Sequence, residues 1–176
     1  GGLPIFINER VFYNEFQRLM KTIHNIGADY SDLIVIDMEE WTPIWDTLFP
    51  RYKNATMSLA RFLYPHVTDA TTIMEISKEL WEKSAMDLMI LAVQATKELY
   101  PDASVGYYAY PGLPYFNEQG DVQIQKVYNT QMYRLWEAVD VLYPSIYLPF
   151  STNVNHSLKT YRWNFEYIHR KLWESH

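Results

Sequence analysis

Two carboxylates one residue apart, Asp37 and Glu39, follow directly on the apolar run Leu33-Ile34-Val35-Ile36, and Glu40 comes next. The run, bounded upstream by Gly27, Asp29 and Ser31, predicts a fully buried strand. Side chains alternate along a strand, so Asp37 and Glu39 are expected to share a face, roughly 6.5–7 Å apart along the backbone, with Glu40 on the other. Apolar strands that end in acids belong at the carboxyl edge of a parallel sheet or α/β barrel, where active sites form. Two like charges so close do not both ionise cheaply. A protonated acid beside an ionised neighbour is equipped to protonate a leaving-group oxygen, as in glycoside hydrolysis. Taken alone, the same residues also suit a solvated sheet edge or an acid cluster at a helix start.

Such acids need a sheet to hold them, and the rest of the chain supplies one. Leu3 to Ile7 reads as a short strand or extended entry, with Asn8 as N-cap of a helix carrying Phe12, Phe16, Leu19, Met20, Ile23 and Ile26 on one face. Gly27 ends that helix. After the acids, a short helical turn is expected over Thr42 to Leu48 with Pro43 at its start, then a helix over Ala55 to Leu63. The longest helix is expected from about Thr72 to Tyr100, with Thr72 and Glu75 as a capping box and Ile73, Ile76, Leu80, Leu88, Leu91, Ala95 and Leu99 on its buried face. The charged stretch Glu75 to Lys83 reads as that helix's wet side. Ser104 to Tyr110 is a second strand, Gly112 to Gln123 a loop, Val127 to Ala138 a helix, Val139 to Tyr147 a further strand and Leu158 to Trp173 a last helix. Strands alternating with long helical crossovers imply a parallel sheet. They amount to about four strand–helix units, half of a closed eight-unit barrel.

Composition bounds the function classes. The 176 residues allow one domain with a sizeable core, and 48% apolar with 20% charged residues is an ordinary globular balance. A net charge of −6 argues against a nucleic-acid binder, and equally asks a polyanionic substrate for a local basic lining. With no cysteine, disulfides, thiolate catalysis and cysteine-ligated metals are excluded. The five histidines show no ligand spacing, so no metal is expected, and no cofactor motif of the Gly-x-Gly-x-x-Gly, P-loop or Gly-x-Ser-x-Gly kind occurs. No apolar run reaches membrane-spanning length. Asn54-Ala55-Thr56 and Asn155-His156-Ser157 are N-glycosylation sequons in expected surface segments.

Four motifs then recur in order. Asp37-Met38-Glu39-Glu40-Trp41-Thr42-Pro43-Ile44-Trp45 resembles the Asp-Trp-Glu-x-Trp-Arg-Pro-x-Trp signature of the hyaluronidase family of glycoside hydrolases. Gly1-Gly2-Leu3-Pro4 is similar to that family's Gly-Gly-Ile/Val-Pro. Gly106-Tyr107-Tyr108-Ala109-Tyr110-Pro111 and Leu142-Tyr143-Pro144-Ser145-Ile146-Tyr147-Leu148-Pro149 resemble its Gly-Tyr-Tyr-x-Tyr/Phe-Pro and Leu-Tyr-Pro-Ser-Ile-Tyr-Met/Leu-Pro.

The resemblance implies an α/β fold, a distorted (β/α) TIM-like barrel of hyaluronidase type, of which residues 1–176 would be a single catalytic domain incomplete at both ends and so a partial barrel. It implies an endo-glycosidase acting on N-acetylhexosaminidic bonds of hyaluronan or chondroitin, glycosaminoglycan partners that a secreted or lysosomal protein meets. In this reading Glu39 is the proton donor and Asp37 orients the substrate's acetamido group, which attacks the anomeric carbon in place of an enzyme nucleophile. Tyr108 and Tyr147 would bind substrate at strand ends. Tyr107, Tyr110 and Tyr143 read as core or rim, and Trp41 and Trp45 as packing residues. Met38 and Thr42 depart from the motif, and Thr42 removes its arginine. The absence of cysteine is a further departure. A non-catalytic, shortened relative that binds glycosaminoglycan or has lost function is the rival reading. A chitinase-like enzyme lacks its Asp-x-x-Asp-x-Asp-x-Glu array here.

Overall fold

A computed structural model describes residues 2–24, 26–111, 127–145 and 169. The expected loop over Gly112 to Gln123 lies outside them, as do Tyr147, Asn155 and all of the helix expected over Leu158 to Trp173 except His169, which is helical. The chain groups into two compact units, one of Gly1–Leu33 with Met38–Ser104, the other of Ile34–Asp37 with Val105–His176.

The first unit is built on three helices, α1 (Glu9–His24), α2 (Pro50–Leu63) and α3 (Ala70–Leu99), with α1 and α2 each packed on α3. Asn8 caps α1 as expected, its Oδ1 accepting from the Val11 amide at 3.1 Å. The entry before it is a turn rather than a strand, and Phe6 sits there in the left-handed region with φ 60°. Helix α2 starts five residues earlier than Ala55, because Pro50 at its first turn fits a position with no hydrogen bond to lose. Helix α3 also starts earlier than the spacing suggested. Its cap is Asp69, whose carboxylate takes both the Thr72 amide at 2.7 Å and the Thr72 hydroxyl at 2.8 Å, so Thr72 lies inside the helix.

The core of this unit holds Trp45, Leu48, Tyr52, Trp81 and Ala85. Helix α3 buries Ile73 and Ala95 of the expected face together with Ser77, Trp81, Met89, Ala92, Val93 and Thr96, which apolar periodicity alone misses. The buried hydroxyls satisfy themselves within their own helix, Ser77 on the Ile73 carbonyl at 2.6 Å and Thr96 on that of Ala92 at 2.8 Å. Trp81 and Ser77 fall within the stretch read as a wet face, which is therefore only partly exposed.

In the second unit lie most of strands β1 (Leu33–Ile36) and β2 (Ser104–Tyr107), which pair with each other. The Ser104 amide donates to Asp32 and the Tyr108 amide to Ile36, so partners advance together along both strands and the pair is parallel, as expected. Strand β1 is not fully buried. Ile34 is 7% exposed, but Leu33 and Val35, on the opposite face, are 53% and 45% exposed. Covering both faces takes layers on either side, and among the described residues the Leu33–Val35 face has none that closes over it.

Strand β2 stops at Tyr107. Beyond it Tyr108 makes a parallel bridge and Tyr110 an antiparallel one to the same residue, Tyr143, with Ala109 between them at φ 67°. Gly106 lies so close to the 141–143 segment that an added Cβ would stand 2.1 Å from the Val141 carbonyl oxygen. Asp140 ties that segment to β2 from its other end, its amide donating to the Val105 carbonyl at 2.8 Å and its carboxylate accepting from the Val105 amide at 3.1 Å. Helix α4 (Tyr133–Ala138) follows the helical residues 127–131, so the single helix expected over Val127 to Ala138 is interrupted at Met132.

Candidate active site

The acidic pair lies past the end of its strand. Strand β1 closes at Ile36 and residues 37–40 have no strand pairing, so the alternation that would put Asp37 and Glu39 on one face stops before either. Among the described residues no ladder hydrogen bond enforces it there. Both side chains are solvent-exposed, and among the described residues no hydrogen bond or ion pair reaches either carboxylate. Asp37 stays with the strand pair, whereas Glu39 belongs to the segment that the helical unit holds.

That segment is anchored residue by residue. Glu40 Oε1 accepts from Arg51 Nη2 at 2.8 Å and from the Tyr52 hydroxyl at 2.9 Å, both at the start of α2. Trp81 of α3 donates its Nε1–H to the Thr42 carbonyl at 2.9 Å, and Trp41 meets the Trp81 ring edge-on at 5.7 Å. Thr42 uses its hydroxyl locally, accepting from the Ile44 amide at 3.3 Å and from the Thr47 hydroxyl at 3.2 Å. This shapes the short 3-10 turn Trp45–Thr47 that stands where a helical turn was expected. Glu82 accepts from the Trp45 amide at 3.0 Å, and Lys78 lies 3.3 Å from the Asp46 carboxylate. Trp45 is 5% exposed and the half-buried Trp41 packs against the same core, so both tryptophans of the motif serve packing, as their spacing indicated. Arg51 brings a cation to the acidic segment, on Glu40, although position 42 carries none.

Tyr108 is half-buried at the carboxyl end of β2, and its hydroxyl donates to Ser145 Oγ at 3.2 Å. Because its amide donates to the Ile36 carbonyl at 3.0 Å, Tyr108 and Asp37 leave the same edge of one parallel pair. The structure thus brings these two candidates together in one unit. Tyr107 is 3% exposed, and its burial, with Tyr110 beside it, pushes the phenol well above its ordinary range. It stays neutral in the core. Tyr110 and Tyr143 are half-buried beside it, in keeping with a core or rim place. Asn54 is exposed on α2, with the sequon's Thr56 fully buried and its hydroxyl on the Tyr52 carbonyl at 2.8 Å.

Three residues around these candidates carry contacts that the sequence reading assigned to no role. Ser145 belongs to the segment Leu142 to Pro149, so the sequence marks its position but not its partner. Arg51 and Tyr52 lie 11 and 12 residues beyond Glu40 and no spacing rule connects them to it.

Comparison with known proteins places this arrangement. The hyaluronidase family's profile matches residues 1–175 of the chain. A hyaluronidase of Echis ocellatus is 28% identical over 169 residues, covering 89% of this chain and 34% of the relative. One of Crotalus adamanteus is 30% identical over 142 residues, covering 73% of this chain and 29% of the relative. The solved bee venom hyaluronidase, in complex with a hyaluronic acid tetramer, superposes with a TM-score of 0.83 at 24% identity, covering 98% of this chain and 54% of that one. This likeness establishes the fold as that of bee venom hyaluronidase, of TIM-barrel type. The chain spans about a third of the length of the curated relatives it matches. A family match that runs from the first residue to the last but one, through all four motifs, makes the chain a member of the hyaluronidase family.

Proposed function

We propose that this chain carries the catalytic acid of an endo-glycosidase that hydrolyses N-acetylhexosaminidic linkages of hyaluronan or chondroitin, with retention at the anomeric carbon. The observation that carries the reading is the solvent-exposed Asp37–Glu39 pair, free of partners among the described residues, just past a parallel strand in a chain of this family. Hyaluronan is the substrate class that the bound tetramer of the bee venom enzyme suggests.

In this mechanism Glu39 gives its proton to the glycosidic oxygen as the bond to the anomeric carbon breaks. The acetamido oxygen of the same sugar attacks that carbon, with Asp37 orienting and polarising the group. Glu39, now ionised, then takes a proton from the water that opens the cyclic intermediate, which restores the acid. Two displacements at one carbon retain its configuration. Glu40 is not the acid, since Arg51 and Tyr52 occupy its carboxylate. Tyr108 hydrogen-bonds the reacting sugar or its acetamido oxygen, and Tyr147 does the same from the end of the following motif. Residues 1–176 form one catalytic domain that supplies a partial barrel, and the chain works outside the cytosol, secreted or lysosomal, with Asn54 and Asn155 as glycan sites.

A reducing-end assay of the purified chain on hyaluronan, chondroitin and chitin tests the reading. Turnover of the first or second, and none of chitin, is expected. Binding of hyaluronan oligosaccharides without any turnover would establish the rival, a non-catalytic relative.

A further inference from the structure

Glu39 has no side-chain partner among the described residues, yet the three residues after it are each fastened to a helix. Glu40 is held by Arg51 and Tyr52 of α2, while Trp41 and Thr42 are held by Trp81 of α3. The two partners of Glu40 differ in kind. The ion pair is open to water, with the Arg51 and Glu40 side chains 63% and 61% exposed, and such a pair contributes little by itself. Tyr52 is 7% exposed and tilted against the Trp81 ring at 5.5 Å, so its hydroxyl is a fixed point. Arg51 adds to it by lying over the Tyr52 ring, 4.8 Å from the centroid, with Nη2 3.4 Å from the same hydroxyl. Tyr52 and Trp81 thus join the anchors of residues 40, 41 and 42 into one aromatic block.

A general acid must meet the leaving oxygen within hydrogen-bond reach, and misplacement by about 1 Å is enough for a large loss of rate. An acid without side-chain partners takes its placement from its backbone, and here that backbone is fixed from the next residue onward. We propose that Tyr52, supported by Arg51, is a positioning residue: its hydroxyl holds the Glu40 carboxylate and so aims Glu39 at the glycosidic oxygen. This rests on Glu39 being the acid of the proposed reaction.

The test uses the full chain and measures kcat and KM on hyaluronan for Tyr52→Phe, Glu40→Ala, their combination and Glu40→Gln, with a thermal transition for each. Tyr52→Phe and Glu40→Ala should each lower kcat about tenfold with KM within about twofold, since aim is lost and substrate contacts are not. The double variant should be no worse than either single, because both remove one interaction. Glu40→Gln keeps an acceptor oxygen and should stay within about threefold of wild type. A merely structural role would lower the transition temperature and leave kcat of the folded protein unmoved. Wild-type turnover matched by Tyr52→Phe, or losses that simply multiply in the double variant, would overturn the positioning role and leave the functional reading intact. A wild type inert on all three polysaccharides overturns the functional reading and the positioning role with it. Should Tyr52→Phe not fold, the comparison of Glu40→Ala with Glu40→Gln decides from the exposed side of the same bond.

Discussion

The amide of Tyr108 donates to the carbonyl of Ile36 at 3.0 Å, which sets Tyr108 in register with the residue immediately before Asp37. Two motifs some seventy residues apart in the chain are therefore fixed to one sheet edge by backbone geometry, whatever their side chains do.

Under the proposed mechanism Glu39→Gln keeps the shape of the acid and cannot give up a proton, so turnover should fall about 10²–10⁴-fold. Asp37→Asn should also lose most turnover, through the acetamido group it no longer orients. Tyr108→Phe removes the hydroxyl that bonds Ser145 and should cause a smaller loss, about tenfold. Kinetics of the three on one hyaluronan preparation check the ranking. Glu39→Gln at wild-type rate would mean that the acid is elsewhere.

Gly106→Ala should destabilise the strand pair by about 1–3 kcal/mol, because the new methyl would meet the Val141 carbonyl. The obstacle is backbone, so trimming Tyr143 to alanine in the same chain should not restore stability. Urea midpoints of the single and double variants decide this.

Trp81→Phe should lower stability by about 1–3 kcal/mol, from lost volume in a fully buried site and a Thr42 carbonyl left without its donor. The loss should be accompanied by faster hydrogen exchange over residues 41–45, which Trp81 and Glu82 hold. Unchanged exchange there would count against the anchoring described.

Asp69 supplies a pH dependence with a definite sign. The Thr72 amide bonds its carboxylate, the Thr72 hydroxyl does so too, and the Thr71 amide adds a smaller effect, together holding its pKa below the ordinary value against a weak opposing effect of desolvation. A depressed carboxyl stabilises the fold above its unfolded pKa, near pH 4, and that contribution disappears as pH falls through the folded value. Asp69→Asn keeps an acceptor and does not titrate, so its acid-side stability curve should be flatter than wild type. Parallel curves for the two proteins below pH 4 would remove the cap from the account.

How far residues alone reach is clearest at β1. Four consecutive apolar residues announced the strand and where it begins, because period and composition are local properties. Its burial was not local. Exposure of Leu33 and Val35 depends on what covers the sheet, and nothing in the run carries that. The same divide runs through the site. Asp37, Glu39 and Tyr108 were legible as strand-end residues, while the shared face of the two acids required a strand that stops at Ile36. The hold of Tyr52 on Glu40 arises only when α2 folds back over the acidic segment, a tertiary event without a sequence period. In α3 the apolar steps located the helix, yet Ser77 and Thr96 are buried because their hydroxyls bond within the helix, which polarity scales count against them.

Tyr143 is paired with Tyr108 on one side of a left-handed Ala109 and with Tyr110 on the other, while Gly106 leaves room for the same segment. The blocks 106–111 and 141–145 are for that reason one object made of two pieces. A chimera that imports one block from a relative without the other would place a foreign turn around a native tyrosine. Grafts between members of the family should therefore succeed only when both blocks travel together.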